Sequence, residues 1–179
     1  PTGLGRWAFV GTGAGVGQAG EMTQRMLEDL VIGADIVCGS FRLSRAEIVA
    51  FAEKFDPQPF HVDEAAAQKS YFGGLCASGL HSQAAAIGLM VRAIADVAVV
   101  AGGALEQARF HVPVRPDQTY AVVARWTEAR PSRNPARGVA CIRGEALDAG
   151  GTVVMRFGVT YVVSRRAGGG GMAGLSSAP

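Results

Sequence analysis

The sequence predicts an α+β fold in which one long buried helix is wrapped by a curved antiparallel β-sheet. Three observations predict it. Within the stretch 73–103, Leu80, Ala84, Ile87, Val91, Ile94 and Ala98 fall on one helical stripe. Leu89, Met90 and Ala93 make the other side apolar too, and a helix apolar almost all round belongs in a core. Downstream, four runs carry apolar residues at alternate positions, the mark of a sheet with one face covered. The connections between these runs, at 116–119, 129–137 and 148–151, are short enough for antiparallel neighbours.

Each element follows from local signals. Residues 1–20 are Gly-rich and read as a flexible tail. Residues 21–30 have helical composition, and 35–43 (DIVCGSFRL) read as a strand. In 44–55, Ser44 and Glu47 form a capping-box signature, and Ile48, Phe51, Ala52 and Phe55 recur at helical spacing. Pro57 ends that helix, because the residue before a proline is pushed out of the helical region. A short helix at 63–69 starts on an acid. After the central helix, the even positions of 104–114 are apolar apart from Glu106, as are Tyr120, Val122, Ala124 and Trp126. The run 138–147 alternates less cleanly, whereas Val153, Met155, Phe157, Val159, Tyr161 and Val163 alternate without exception. Residues 165–179, rich in Gly and Ser, read as a second tail, which leaves 21–164 as a single domain.

Composition narrows the function classes. The chain has 179 residues, 49% hydrophobic and 18% charged, and a net charge of +2. Its arginines are scattered, which argues against a nucleic-acid partner. Cys38, Cys76 and Cys141 are odd in number and lack metal-ligand spacing, so they read as reduced thiols of a cytoplasmic protein without a metal site. No signal-peptide pattern is expected, and the most apolar window, 84–101, is interrupted by Arg92 and Asp96, so no membrane span is expected. GVGQAG at 15–20 matches a dinucleotide fingerprint but lacks the strand, helix and βαβ frame that the motif requires.

The chemistry concentrates in two segments. FDPQPFH (55–61) places Asp56 five residues before His61, with Pro57 and Pro59 restricting the backbone between them. A preorganised carboxylate and imidazole can hold one water molecule together, and Phe55 and Phe60 can wall the site. The second segment, GGLCASGLHS (73–82), puts Ser78 at the N-cap of the central helix and Gly79 at its start. The unpaired N–H groups there, approachable past a glycine, make an oxyanion site. His81 and His111 read as structural, and without a GxSxG elbow Ser82 does not read as a hydrolase nucleophile.

Taken together, FDPQPFHVDEAAA, YFGGLCASGLHSQAA and FHVPVRPDQT resemble the MaoC-like dehydratases, the (R)-specific enoyl-CoA hydratase group with the hot-dog fold. The resemblance covers roughly 27–163. It implies a hydro-lyase that adds water reversibly to a trans-2-enoyl-CoA, with Asp56 and His61 as the catalytic pair and Gly79, with Ser78 beside it, as the oxyanion and substrate-binding residues. It implies no cofactor beyond the coenzyme A thioester substrate, and a homodimer or higher homo-oligomer. Arg109, Arg115 and the 130–137 cluster are candidate partners for the CoA phosphates. Two positions depart from the common pattern: Gln58 stands where many members carry Asn, and Asp117-Gln118 where many carry Gly-Asp. A non-catalytic acyl-CoA-binding protein and an acyl-CoA thioesterase are the alternatives on the same fold.

Overall fold

The computed structural model describes residues 24–166. The Gly-rich segment 1–20 with its GVGQAG motif lies outside the described residues, as does the C-terminal tail beyond Arg166. The elements are β1 (Ile36–Arg42), α1 (Arg45–Phe55), α2 (Pro59–Val62), α3 (Glu64–Lys69), α4 (Gly79–Ala93), β2 (Val99–Phe110), β3 (Thr119–Pro131), β4 (Arg137–Leu147) and β5 (Val153–Ser164). The strands make one antiparallel sheet in the order β1-β3-β4-β5-β2. Helix α4 packs across β1, β3 and β4.

Caps fix the helices that lead to the site. Ser44 Oγ accepts from the Glu47 amide, and the Glu47 carboxylate accepts from the Ser44 amide at 2.7 Å, so the capping box starts α1 as its sequence predicts. Asp63 Oδ1 caps α3 by accepting from the Ala66 amide at 2.6 Å. The sheet's inner face carries the core. Trp126, Tyr120, Val122, Ile142, Met155 and Val163 are buried there, and Phe41 stacks on Tyr120 at 5.5 Å. Burial of each such side chain contributes about 1.5–3 kcal/mol. Gly144 belongs to this packing. A Cβ on it would lie 2.3 Å from the buried Phe157 ring.

Three expectations are corrected. First, 21–30 forms no regular α-helix over its described part; only Leu27–Asp29 makes a 3-10 turn. Arg25 instead exchanges backbone hydrogen bonds with Asp96 and Ala98, and its guanidinium grips the Asp96 carboxylate at 2.6 and 2.8 Å. These tertiary bonds override helix propensity. Second, α4 ends at Ala93, so Ile94 and Ala98 are buried outside it. Its buried side is Ser82, Ala86 and Met90, while Leu80 and Val91 of the expected core stripe are 56% and 46% exposed. Third, β2 begins at Val99, and its apolar alternation does not mark a covered face. Among the described residues it is an edge strand with a broken register, and of the alternating positions Ala104 is exposed, as are Phe110 and Val112 at 51% and 39%.

At the turn before β3, Asp117 adopts φ 62°, a left-handed conformation that Asp tolerates better than most residues with a side chain. Its amide donates to Leu43 O at 2.8 Å and its carboxylate accepts from Arg42 at 3.0 Å. Asp117 thus holds the geometry for which a glycine would be the default.

Candidate active site

Asp56 is the C-cap of α1, with its amide bonded to Ala52 O at 2.9 Å. Pro57 prevents further helix. Two residues on, Pro59 opens α2 at a position where its missing N–H costs nothing. This single turn, which the sequence analysis did not anticipate, rotates His61 inward until it is only 5% exposed. The two prolines and one helical turn convert a five-residue spacing into a contact: His61 Nε2 lies 3.5 Å from Asp56 Oδ2.

Each member of the pair is oriented by further bonds. His61 Nδ1 is 2.7 Å from the Cys76 carbonyl, which can only accept, so Nδ1 carries the proton and Nε2 faces the acid. Ser78 Oγ donates to Asp56 Oδ2 at 2.6 Å, and Gln58 Nε2 donates to Asp56 Oδ1 at 3.0 Å. These bonds, that of Ser78 foremost, hold the Asp56 carboxyl below the usual carboxylate range; burial opposes them and His61 adds to them. Gln58 thus bonds directly to the acid from two residues away.

Ser78 serves two elements at once. It is fully buried, and its Oγ also accepts from the Leu80 amide at 3.2 Å, the N-cap bond expected of it. Gly79 follows as the first residue of α4, where an α-helix offers no internal acceptor for the N–H. Phe110, the last residue of β2, lays its ring against Gly79: a Cβ there would be 2.7 Å from Phe110 Cζ. Asp56, His61, Gly79 and Phe110 line one cleft of about 780 Å³, with Phe72 and Val112 among its apolar walls.

The remaining candidates are placed elsewhere. Arg115 turns inward and donates to Gly74 O at 2.7 Å, to Leu75 O at 3.1 Å and to Phe72 O. It is therefore a strap holding the loop before Ser78, and no longer a candidate for phosphate. Arg109 lines a separate groove with Arg125, Arg143 and Arg156, and Arg130 pairs with Glu128 at 2.8 Å. His81 stacks flat on Phe51 at 4.4 Å, and burial lowers its pKa against the pull of Glu47. Ser82 Oγ donates to Ser78 O at 3.1 Å. His111 is exposed at the cleft mouth, beyond the end of β2. Cys76, whose thiol pKa burial pushes up, lies beside His61. The sequence assigned no role to Gln58 or Phe110 and a different one to Arg115: Phe110 and Arg115 act on groups distant in the sequence, and Gln58 acts through a side-chain bond to Asp56 that spacing alone does not fix.

Among the described residues, no three His, Cys, Asp or Glu side chains are grouped to hold a metal ion, and no helix is long and apolar enough to cross a membrane. The groups that do converge can bind a water molecule and a carbonyl oxygen.

Comparison with known proteins gives this geometry a lineage. Residues 32–142 match the family model described as MaoC like domain. The uncharacterized protein YdeM of Bacillus subtilis (strain 168) is 32% identical over 109 residues, 60% of this chain and 77% of that protein. The crystal structure of a MaoC-like dehydratase from Rhodospirillum rubrum is 37% identical, with a TM-score of 0.72, covering 80% of this chain and 99% of that one. An (R)-hydratase from A. caviae involved in PHA biosynthesis shares the fold at 20% identity, with a TM-score of 0.60 over 75% of this chain and 97% of its own. The helix and curved sheet are thus the hot-dog fold, and the chain belongs to the MaoC-like dehydratase domain family.

Proposed function

We propose that the protein is an enoyl-CoA hydratase, or in reverse a 3-hydroxyacyl-CoA dehydratase, with Asp56 and His61 as its acid–base pair. One observation carries the reading: Nε2 and Oδ2 face each other at 3.5 Å in the cleft that also holds Gly79. With Nδ1–H donating to the Cys76 carbonyl, the unprotonated form of the His61 ring turns the Nε2 lone pair toward the carboxylate. A water donating one O–H to Nε2 and the other to Oδ2 satisfies both. That water is the nucleophile for C3 of a trans-2-enoyl thioester.

The steps balance on these groups. As the water oxygen bonds to C3, the pair takes one proton and the C2–C3 π electrons move toward the thioester. The Gly79 N–H stabilises the resulting enolate oxygen, an interaction typically worth about 3–4 kcal/mol. The proton then passes to C2, giving the 3-hydroxyacyl thioester and restoring the pair. Ser78 and Gln58 keep Asp56 ionised and aimed.

A homodimer completes the reading. β2 is an open edge among the described residues, and the exposed Val99, Val100 and Leu105 on it, with Leu80 and Val91 of α4, suit a second copy of the chain.

The test is loss of conjugated-thioester absorbance with trans-2-butenoyl-CoA, compared with Asp56→Asn and His61→Ala. Hydration by the parent that both folded variants lose supports the proposal. Release of free thiol identifies a thioesterase instead, and binding of enoyl-CoAs without turnover identifies a binding protein.

A further inference from the structure

The Phe110 ring lies against Gly79, the residue whose N–H would receive the thioester oxygen. Three facts bear on what it does there. The ring tip lies so close to Gly79 that a Cβ would sit 2.7, 2.9 and 3.1 Å from Cζ, Cε2 and Cε1. Phe110 is nonetheless 51% exposed, so the core does not clamp it. It also sits where β2 breaks off: the register slips between Glu106 and Arg109, and the His111 and Val112 amides both turn to Val154 O, at 2.9 and 3.3 Å. Irregular strand ends of this kind re-aim a side chain, and here the side chain is aimed at the helix start. The ring is thus held by direction and by its contact with the helix start rather than by burial, so displacing it costs that contact without opening the core.

We propose that Phe110 is a specificity-determining residue that selects against a substituent at C2 of the acyl chain. The inference rests on the hydratase reading, which places the thioester oxygen at Gly79. An oxygen bonded there brings C1, and with it C2, alongside the ring. A hydrogen on C2 leaves room for the ring to lie flat against the acyl chain. A methyl group on C2 collides with a ring whose backbone anchor is fixed by the β2–β5 pairing. Discrimination by one methyl group in a shaped apolar site is commonly about 10- to 200-fold.

The experiment compares trans-2-butenoyl-CoA with trans-2-methyl-2-butenoyl-CoA, using the parent protein, Phe110→Leu and Phe110→Ala. The expected result is that the ratio of kcat/KM, branched over linear, rises about tenfold or more in Phe110→Ala, with Phe110→Leu between. A ratio within twofold of the parent's in an active Phe110→Ala overturns the inference while leaving the hydratase reading intact. If the parent hydrates neither compound, the hydratase reading fails, and a second measurement still tests the ring. Calorimetric titration with butanoyl-CoA and 2-methylbutanoyl-CoA then supports its role if Phe110→Ala removes a preference for the linear ligand. An unchanged preference, or binding of neither ligand, overturns it.

Discussion

Ser78 Oγ donates to Asp56 Oδ2 at 2.6 Å across 22 residues of sequence, joining the start of the central helix to the end of the first one. One hydroxyl therefore sets both a helix cap and the ionisation of an acid. Ser78→Ala removes the foremost bond that holds the Asp56 carboxyl down. A lowered carboxyl contributes stability above its unfolded value, and loses that contribution as pH falls through its folded value. Without Ser78 the folded value rises. The expected outcome is an acid limb of kcat/KM displaced to higher pH, with cap loss of about 1 kcal/mol in denaturant unfolding.

Asp56→Asn and His61→Ala each leave the fold intact and lower kcat/KM by about 10²- to 10⁴-fold, the usual contribution of a positioned acid–base group. Steady-state hydration assays check this, with circular dichroism to confirm folding. The double variant falls little below the worse single one, because both groups hold the same water.

Gly79→Ala and Gly144→Ala separate a site glycine from a core glycine. Each new Cβ meets a phenylalanine ring, that of Phe110 or of Phe157. Phe110 is half-exposed and can swing aside, so Gly79→Ala lowers stability by no more than about 1 kcal/mol while reducing turnover at least tenfold through the obstructed oxyanion corner. Phe157 is 2% exposed with nowhere to move. Gly144→Ala therefore destabilises by about 3 kcal/mol or more, since overpacking in a closed core forces the backbone itself to shift. Urea unfolding of both variants distinguishes them.

Arg115 donates to three carbonyls of the loop that leads to Ser78, beside Gly73 and Gly74 in positive-φ conformations. Arg115→Ala leaves these acceptors without their charged donor and lowers stability by about 2–4 kcal/mol. Arg115→Lys recovers only part, because one ammonium cannot span the fork that a guanidinium does. Thermal unfolding measures both.

Much of this architecture was legible in the chain. The Ser44–Glu47 box and the alternation through β3 and β5 are local rules obeyed locally, and the hydrogen-bonding groups of Asp56, His61 and Ser78 lie in short segments. What was hidden depends on distant partners. The boundary between α4 and β2 lies in an apolar stretch broken only by Arg92 and Asp96, with no glycine or proline to stop the helix, so periodicity could not mark it. The segment before β1 looks helical and is captured instead by Asp96 and Ala98. Arg115 has the composition of a phosphate ligand, yet its guanidinium is bonded to carbonyls some 40 residues away.

The open edge of β2 bears on how any of these stabilities is measured. A strand that pairs there, whether from a second copy or a designed peptide, binds the folded chain and not the unfolded one. Its binding free energy then adds to the folding free energy, growing as RT ln(1 + [L]/Kd). Where a second copy supplies that strand, the melting temperature rises with protein concentration, and a dilution series of melts reports the association constant without any chemical readout of the active site.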